Sequence, residues 1–203
     1  MSEPHSPRSR LSGGPLAPAS GPSPKQLAMF VLFGTLSMLF GASVVGYLIT
    51  RSQNEVWKTA TMPALPLGLL ASTALLAGLS VAMHAALRAI RRNQFETLQR
   101  ALMIALFLGA AFVLGQLQNW RSMYRATIAT DARTLYGFTF YMLTGLHALH
   151  VIGGFVPLVI VLNKAKDREY SSSNHEGVKL CAQYWDYLGV IWLCLLSVLY
   201  FAT

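Results

Sequence analysis

Apolar residues fall along the chain in five long runs, with the polar residues gathered between them. Residues 26–50 contain no Lys, Arg, Asp, Glu or His; 63–87 contain only His84 of these; 101–120 contain none; 135–163 contain only His147 and His150; 180–203 contain only Asp186. A helix rising about 1.5 Å per residue needs about 20 apolar residues to cross a hydrocarbon layer of ~30 Å. All five runs qualify. The pattern predicts membrane-spanning helices over about 26–50, 63–87, 99–120, 135–163 and 178–202. Apolar residues recur all round each helix, as lipid on one side and packing on the other require. The ten-residue alternation of barrel strands is absent. The expected fold is all-α, a polytopic five-helix transmembrane bundle.

Residues 1–25 read differently. They hold six of the nine prolines, six serines and three glycines. Such a segment buries too little to offset the entropy of ordering, which predicts a disordered tail. A signal peptide fits poorly, because the apolar run that follows is too long for one and no small-residue cleavage site comes after it.

Composition sharpens this picture. The 203 residues are 54% hydrophobic and 12% charged, about half the ~25% charged residues of a soluble domain. A soluble globule and a disordered chain are both excluded. Two cysteines cannot staple a fold of this size, and Cys181 and Cys194 lack the CxxC spacing of redox or zinc sites. With 16 Lys+Arg against 8 Asp+Glu, the formal charge is +8. The basic residues are unevenly placed. The tail and the second and fourth connections hold 11 of them, from Arg8 to Lys179, and the opposite side holds Arg51, Lys58, Arg121, Arg125 and Arg133. The positive-inside rule then puts the N-terminus in the cytoplasm and the C-terminus outside. Charge that punctuates spans does not form the clustered face of a nucleic-acid reader, so no nucleic acid is expected as a partner.

Small residues recur four apart at Ser37 and Gly41, Ala42 and Gly46, Ala74, Gly78 and Ala82, Ala105 and Gly109, and Ala111 and Gly115. This spacing lets helix backbones approach closely. It fits packing within one bundle first and a seam between subunits second.

Candidates for chemistry are few. His147 and His150 lie three apart on nearly one helix face. One of them could ligate a haem, but a haem in a bundle takes axial ligands from facing helices. His84 opposite His150 is the one such pairing to weigh. The other reading is hydrogen-bonded histidines that fasten helices. Asp186, the single acid inside a span, lies roughly 10 Å beyond Lys179 along the helix. It reads either as a proton-relay group or as a fastening acid partnered by Tyr184, Tyr187 or a histidine of the fourth span. No GxxxxGK[ST], GxGxxG or HExxH pattern occurs, and no Ser-His-acid set stands out. The residues alone describe a membrane scaffold.

The run from Phe140 to Gly154, FYMLTGLHALHVIGG, resembles the FYxLTGxHxxHVxxG segment of subunit III of the haem-copper oxidases. The likeness continues through His175, Gly177 and Val178 to Tyr184, Trp185, Trp192 and Tyr200. Upstream, Leu108, Gly109, Phe112, Gln116 and Trp120 resemble that family's LGxxFxxxQ helix, and Pro63, Ser72, Thr73, Tyr47 and Arg51 fall in order. Five spans match the short bacterial form of the subunit. The family-motif positions in this chain are Thr144, Gly145, His147, His150, Gly153, Gln116, His175, Tyr184, Trp185, Asp186 and Trp192. None is read as catalytic, cofactor-binding or metal-ligating.

The resemblance implies a cofactor-free accessory subunit of a respiratory cytochrome c oxidase. Haem and copper are then expected in subunit I, with copper also in subunit II. Subunits I and II and membrane lipids are the implied partners, and the implied role is to stabilise subunit I and support proton-coupled electron transfer to oxygen. Subunit III of a quinol oxidase and an accessory protein of nitric oxide reductase share the fold and stand as alternatives. Three positions depart from the family pattern. Leu36 stands at a usual glutamate, Asn119 at the acid of QxxE, and the usual YWHFVD reads Tyr184 to Gly189 as YWDYLG. Asp186 thus occupies a histidine place and Gly189 an acid place. Two rivals from other classes are a stand-alone haem carrier using His84 and a fourth-span histidine, and a small transporter with Asp186 as proton site.

Overall fold

A computed structural model describes residue 21 and residues 23–53, 68–129 and 135–201. The tail expected over 1–25 lies outside them except at 21 and 23–25, as do the connections over 54–67 and 130–134. Five helices make up the described chain: α1 (Pro24–Ser52), α2 (Gly68–Arg91), α3 (Phe95–Ala129), α4 (Leu135–Lys166) and α5 (Glu176–Phe201). No strand occurs among the described residues. Each helix is long and apolar enough to cross a membrane.

The ends of the helices have local causes. The first helix begins two residues before its apolar run, because Ser23 caps it. The Ser23 hydroxyl accepts from the Gln26 N–H, the Gln26 side chain accepts from the Ser23 N–H, and Pro24 supplies a helical φ at the first position. The second helix runs on to Arg91 and stops where Asn93 turns left-handed, with φ 53°. Asparagine tolerates that conformation better than most residues, and it lets the chain reverse at once into α3. The third helix outruns its predicted apolar stretch at both ends, starting at Phe95 and running to Ala129. At about 1.5 Å per residue its 35 residues span ~50 Å, more than the hydrocarbon layer, so its polar ends project beyond it. The fourth remains continuous through Pro157.

Helices α2, α3, α4 and α5 close into a ring in which each touches two ring neighbours, and α1 lies outside against α4 and α5. Trp185, Trp192, Phe112, Phe140, Met83, Ile90 and Leu98 fill the interior. The small residues of α2 and α3 serve this ring. A Cβ on Gly109 would stand 3.0 Å from Phe155 and 3.3 Å from Leu79, and one on Gly115 would stand 3.6 Å from Ser72. On α1, by contrast, a Cβ on Gly41 or Gly46 would meet nothing within 4 Å.

A polar fastener and a buried tyrosine lie at the same end of the ring. The Asn93 side chain accepts from the Ser172 N–H (2.9 Å) and donates to the Ser172 hydroxyl (3.3 Å), joining the α2–α3 turn to the α4–α5 connection. Tyr170 is buried beside the first turn of α5, where a Cβ on Gly177 would meet its hydroxyl at 2.6 Å. Burial holds the Tyr170 hydroxyl above the usual tyrosine pKa.

Candidate functional site

The FYMLTGLHALHVIGG run lies on α4 and turns its polar groups into the bundle. Thr144 is fully buried; its hydroxyl donates to the Phe140 carbonyl (2.7 Å) and accepts from the Trp120 indole of α3 (3.0 Å). One turn on, His147 is also fully buried. Its ring sits among Trp192 (5.1 Å between centroids), Phe112 (5.8 Å) and Phe40 (6.2 Å). Among the described residues neither nitrogen of His147 has a hydrogen-bond partner, nor has the side-chain oxygen or nitrogen of buried Gln116, which lies one turn from Phe112 on α3. His150 Nδ1 lies 2.7 Å from the Leu146 carbonyl. A carbonyl only accepts, so that nitrogen carries the proton. The His150 ring meets Phe40 edge-on, and its own carbonyl accepts from the Tyr184 hydroxyl of α5 (2.9 Å).

The glycines of the run divide. Gly153 faces open space, and Gly145 has only ordinary contact with Trp120. Gly154 is the close approach, since a Cβ there would meet Tyr184 at 2.8 Å and Trp185 at 3.1 Å. Trp185 and Trp192 fill the core of α5, and the Trp192 indole donates to Thr73 of α2 (3.0 Å). His175 immediately precedes α5, and its carbonyl accepts from the Lys179 N–H (3.1 Å).

Asp186 has a different partner from those the sequence offered. Neither Tyr184, Tyr187 nor a fourth-span histidine reaches it by hydrogen bond. His84 Nε2 of α2 lies 3.0 Å from its Oδ2, and the Ser80 hydroxyl donates to its Oδ1. Ser80 and His84 are one turn apart, so both present the same face of α2 to α5. That four-residue spacing of a hydroxyl and an imidazole is the signal the sequence carries for this cluster. His84 and His150, weighed above as opposed haem ligands, are spent on separate partners. Tyr187 instead holds α1: its ring stacks on Phe33 (4.6 Å), and its hydroxyl lies 2.8 Å from that of Ser37. Among the described residues no three His, Cys, Asp or Glu side chains gather as a metal-holding group.

The family model for cytochrome c oxidase subunit III matches residues 28–203, so it takes in all four ring helices and nearly all of α1. The chain belongs to the cytochrome c oxidase subunit III family. It is 27% identical to the cytochrome c oxidase subunit 3 of Thermostichus vulcanus, over 90% of this chain and 89% of that one. It is 30% identical to that of Synechocystis sp., over 83% of this chain and 74% of the relative. The probable cytochrome c oxidase subunit 3 of Nocardia farcinica is 28% identical over 81% of each chain. Membership with five long apolar helices makes this a multi-pass membrane protein.

For a subunit III chain, the three departures from the family pattern now have surroundings. Leu36 is buried on the inner face of α1 with Phe40. Asn119 is buried on α3 and donates to the Ser72 hydroxyl (3.3 Å). Gly189 lies one turn beyond Asp186 with nothing within 4 Å of a Cβ. Leu36 and Asn119 are thus buried without charge, and Gly189 leaves a gap.

Proposed function

We propose that this chain is the accessory subunit III of a respiratory cytochrome c oxidase, acting as a helical buttress for a haem- and copper-carrying subunit I. The observation that carries the reading is the family match together with the destination of the motif's polar groups. Thr144, His150 and Tyr184 bond within the bundle, and the His147 ring is walled in by three aromatic rings. Side chains committed in this way set helix positions, and a stiff bundle presents a fixed outer surface to a neighbour. Packing on that neighbour stabilises it and keeps its proton-uptake path intact during electron transfer to oxygen. Subunit II and membrane lipids complete the surroundings. The excess of basic residues at the tail and the second and fourth connections supports a cytoplasmic location for those segments in a bacterial plasma membrane.

Extraction in mild detergent followed by identification of the co-purifying chains tests this. The expected result is a large partner carrying haem and copper, with a second copper-bearing chain. A partner lacking that second copper centre would assign the complex to quinol oxidation. Recovery of the chain alone with a stoichiometric Soret band would overturn the proposal.

A further inference from the structure

A groove on the outer surface of the bundle, between α3 and the end of α4, lies beyond the reach of the motif run. It has a volume of about 660 Å³. Glu96, Arg100, Met103, Ile104 and Phe107 line it from α3, and Lys166 lines it from α4. The Gln99 side chain donates to the Ala165 carbonyl (3.1 Å) and holds the two helices together at this level. Among the described residues α3 touches α2 and α4 but not α1, so the groove is separate from the α1 side of the bundle.

Arg100, Met103, Ile104 and Phe107 follow the i, i+3, i+4, i+7 spacing of a single helix stripe. The stripe is charged at one end and apolar along the rest. Met103, Ile104 and Phe107 are all exposed, Phe107 at 67%. Arg100 lies five residues into α3, ~8 Å from its start, and Lys166 is the last residue of α4. Phe107 lies seven residues further on, ~10 Å deeper. The cations therefore stand near the membrane edge, and the apolar stripe runs inward from them. Glu96 bonds Arg100 (3.2 Å), yet both side chains are largely exposed, and surface pairs of this kind contribute little. Lys166 has no ion-pair partner among the described residues. Two cations against one carboxylate leave the groove with positive charge.

We propose that this α3–α4 groove binds an anionic phospholipid, its phosphate between Arg100 and Lys166 and an acyl chain along Met103, Ile104 and Phe107. A guanidinium grips a phosphate through paired N–H donors, and an ammonium adds a point charge. Basic pockets between transmembrane helices select anionic headgroups in this way. The lipid belongs to the leaflet at the α2–α3 turn, which is the cytoplasmic one in the reading proposed above. The assignment needs only the membrane bundle, so it stands or falls apart from the oxidase reading.

The test places the full chain in phosphatidylcholine vesicles doped with phosphatidylglycerol that carries a photoreactive acyl chain. Illumination and peptide mapping are expected to find the label on the Met103–Phe107 stretch of α3. Photoreactive phosphatidylcholine with the same acyl chains is expected to label that stretch far less. Arg100→Gln combined with Lys166→Gln removes two exposed cations and leaves the core untouched. Each cation contributes about fivefold in attraction to an anionic headgroup, so the double variant should bind about twenty-five-fold more weakly. Glu96→Gln frees Arg100 and is expected to tighten binding, a gain that damage to the fold does not produce. Melting of each variant in lipid-free detergent is expected to match the wild type. Inorganic phosphate is expected to leave the labelling unchanged, and displacement of the lipid by it would reduce the groove to a simple anion site and overturn the inference. Equal labelling by the two lipids, label confined to other helices, or a second copy of this chain cross-linked at the stripe in place of lipid would overturn it too.

Discussion

The imidazole of His147 lies beside the indole of Trp192 with ring centroids 5.1 Å apart, and neither of its nitrogens meets a hydrogen-bond partner among the described residues. A buried polar atom left unpaired costs about 1–3 kcal/mol, so this histidine acts in the fold chiefly through its volume. His147→Leu is expected to leave thermal stability in detergent unchanged or raised. His147→Ala empties a site walled by Phe40, Phe112 and Trp192 and is expected to cost about 3–5 kcal/mol. Paired melting curves check this, and a large loss in the leucine variant would contradict it.

Tyr187 joins α1 to the ring by two separable means, a stacked ring and a hydroxyl contact. Tyr187→Phe keeps the stack on Phe33 and loses the hydroxyl's contacts with Ser37 and the Phe33 carbonyl, an expected cost of about 1–3 kcal/mol. Because α1 touches only α4 and α5 among the described helices, amide hydrogen exchange should rise in α1 and stay flat elsewhere. Exchange rising evenly over all five helices would refute the view of α1 as a peripheral element.

Gly153 and Gly154 are adjacent and should respond in opposite ways. At Gly154 an added methyl meets Tyr184 and Trp185. Tyr184 is pinned by its bond to the His150 carbonyl, and Trp185 is packed in the core. Gly154→Ala is expected to destabilise by about 1–3 kcal/mol through overpacking. Gly153→Ala meets open space and is expected to gain up to about 1 kcal/mol from helix propensity. Equal effects at both positions in thermal unfolding would show that the α4–α5 approach lies elsewhere.

Asn93 combines a left-handed backbone with two bonds to Ser172. Asn93→Gly retains the first and loses the second, while Asn93→Val loses both. The valine variant should be the less stable by about 1–2 kcal/mol, the cost of holding an ordinary residue left-handed. Denaturation of the two variants side by side gives that difference directly, and a smaller loss in the valine form would be the contrary result.

The five helices were legible because spanning length is a one-dimensional property: a run of uncharged apolar residues either reaches across the hydrocarbon or does not. The motif run was equally legible, since its residue types stand in order along α4 and α5. Their partners were not. The sequence offers Tyr184, Tyr187 and the fourth-span histidines as partners for Asp186, yet it bonds His84 and Ser80 on α2. Its approximate depth could be counted off in residues, whereas the direction it faces could not.

Helix rotation is written into a soluble protein by a polar stripe that must face water. Here every face of a span is apolar, lipid and protein interior being alike in that respect, so periodicity says little about which side turns inward. The sequence by itself determined how many times the chain crosses, which residues lie at which depth, and which family's pattern it carries. The closing of α2 to α5 into a ring, the outer place of α1, and the meeting of His84 with Asp186 came only from tertiary packing. There, side-chain shape and a few hydrogen bonds choose among rotations that hydrophobicity leaves equivalent.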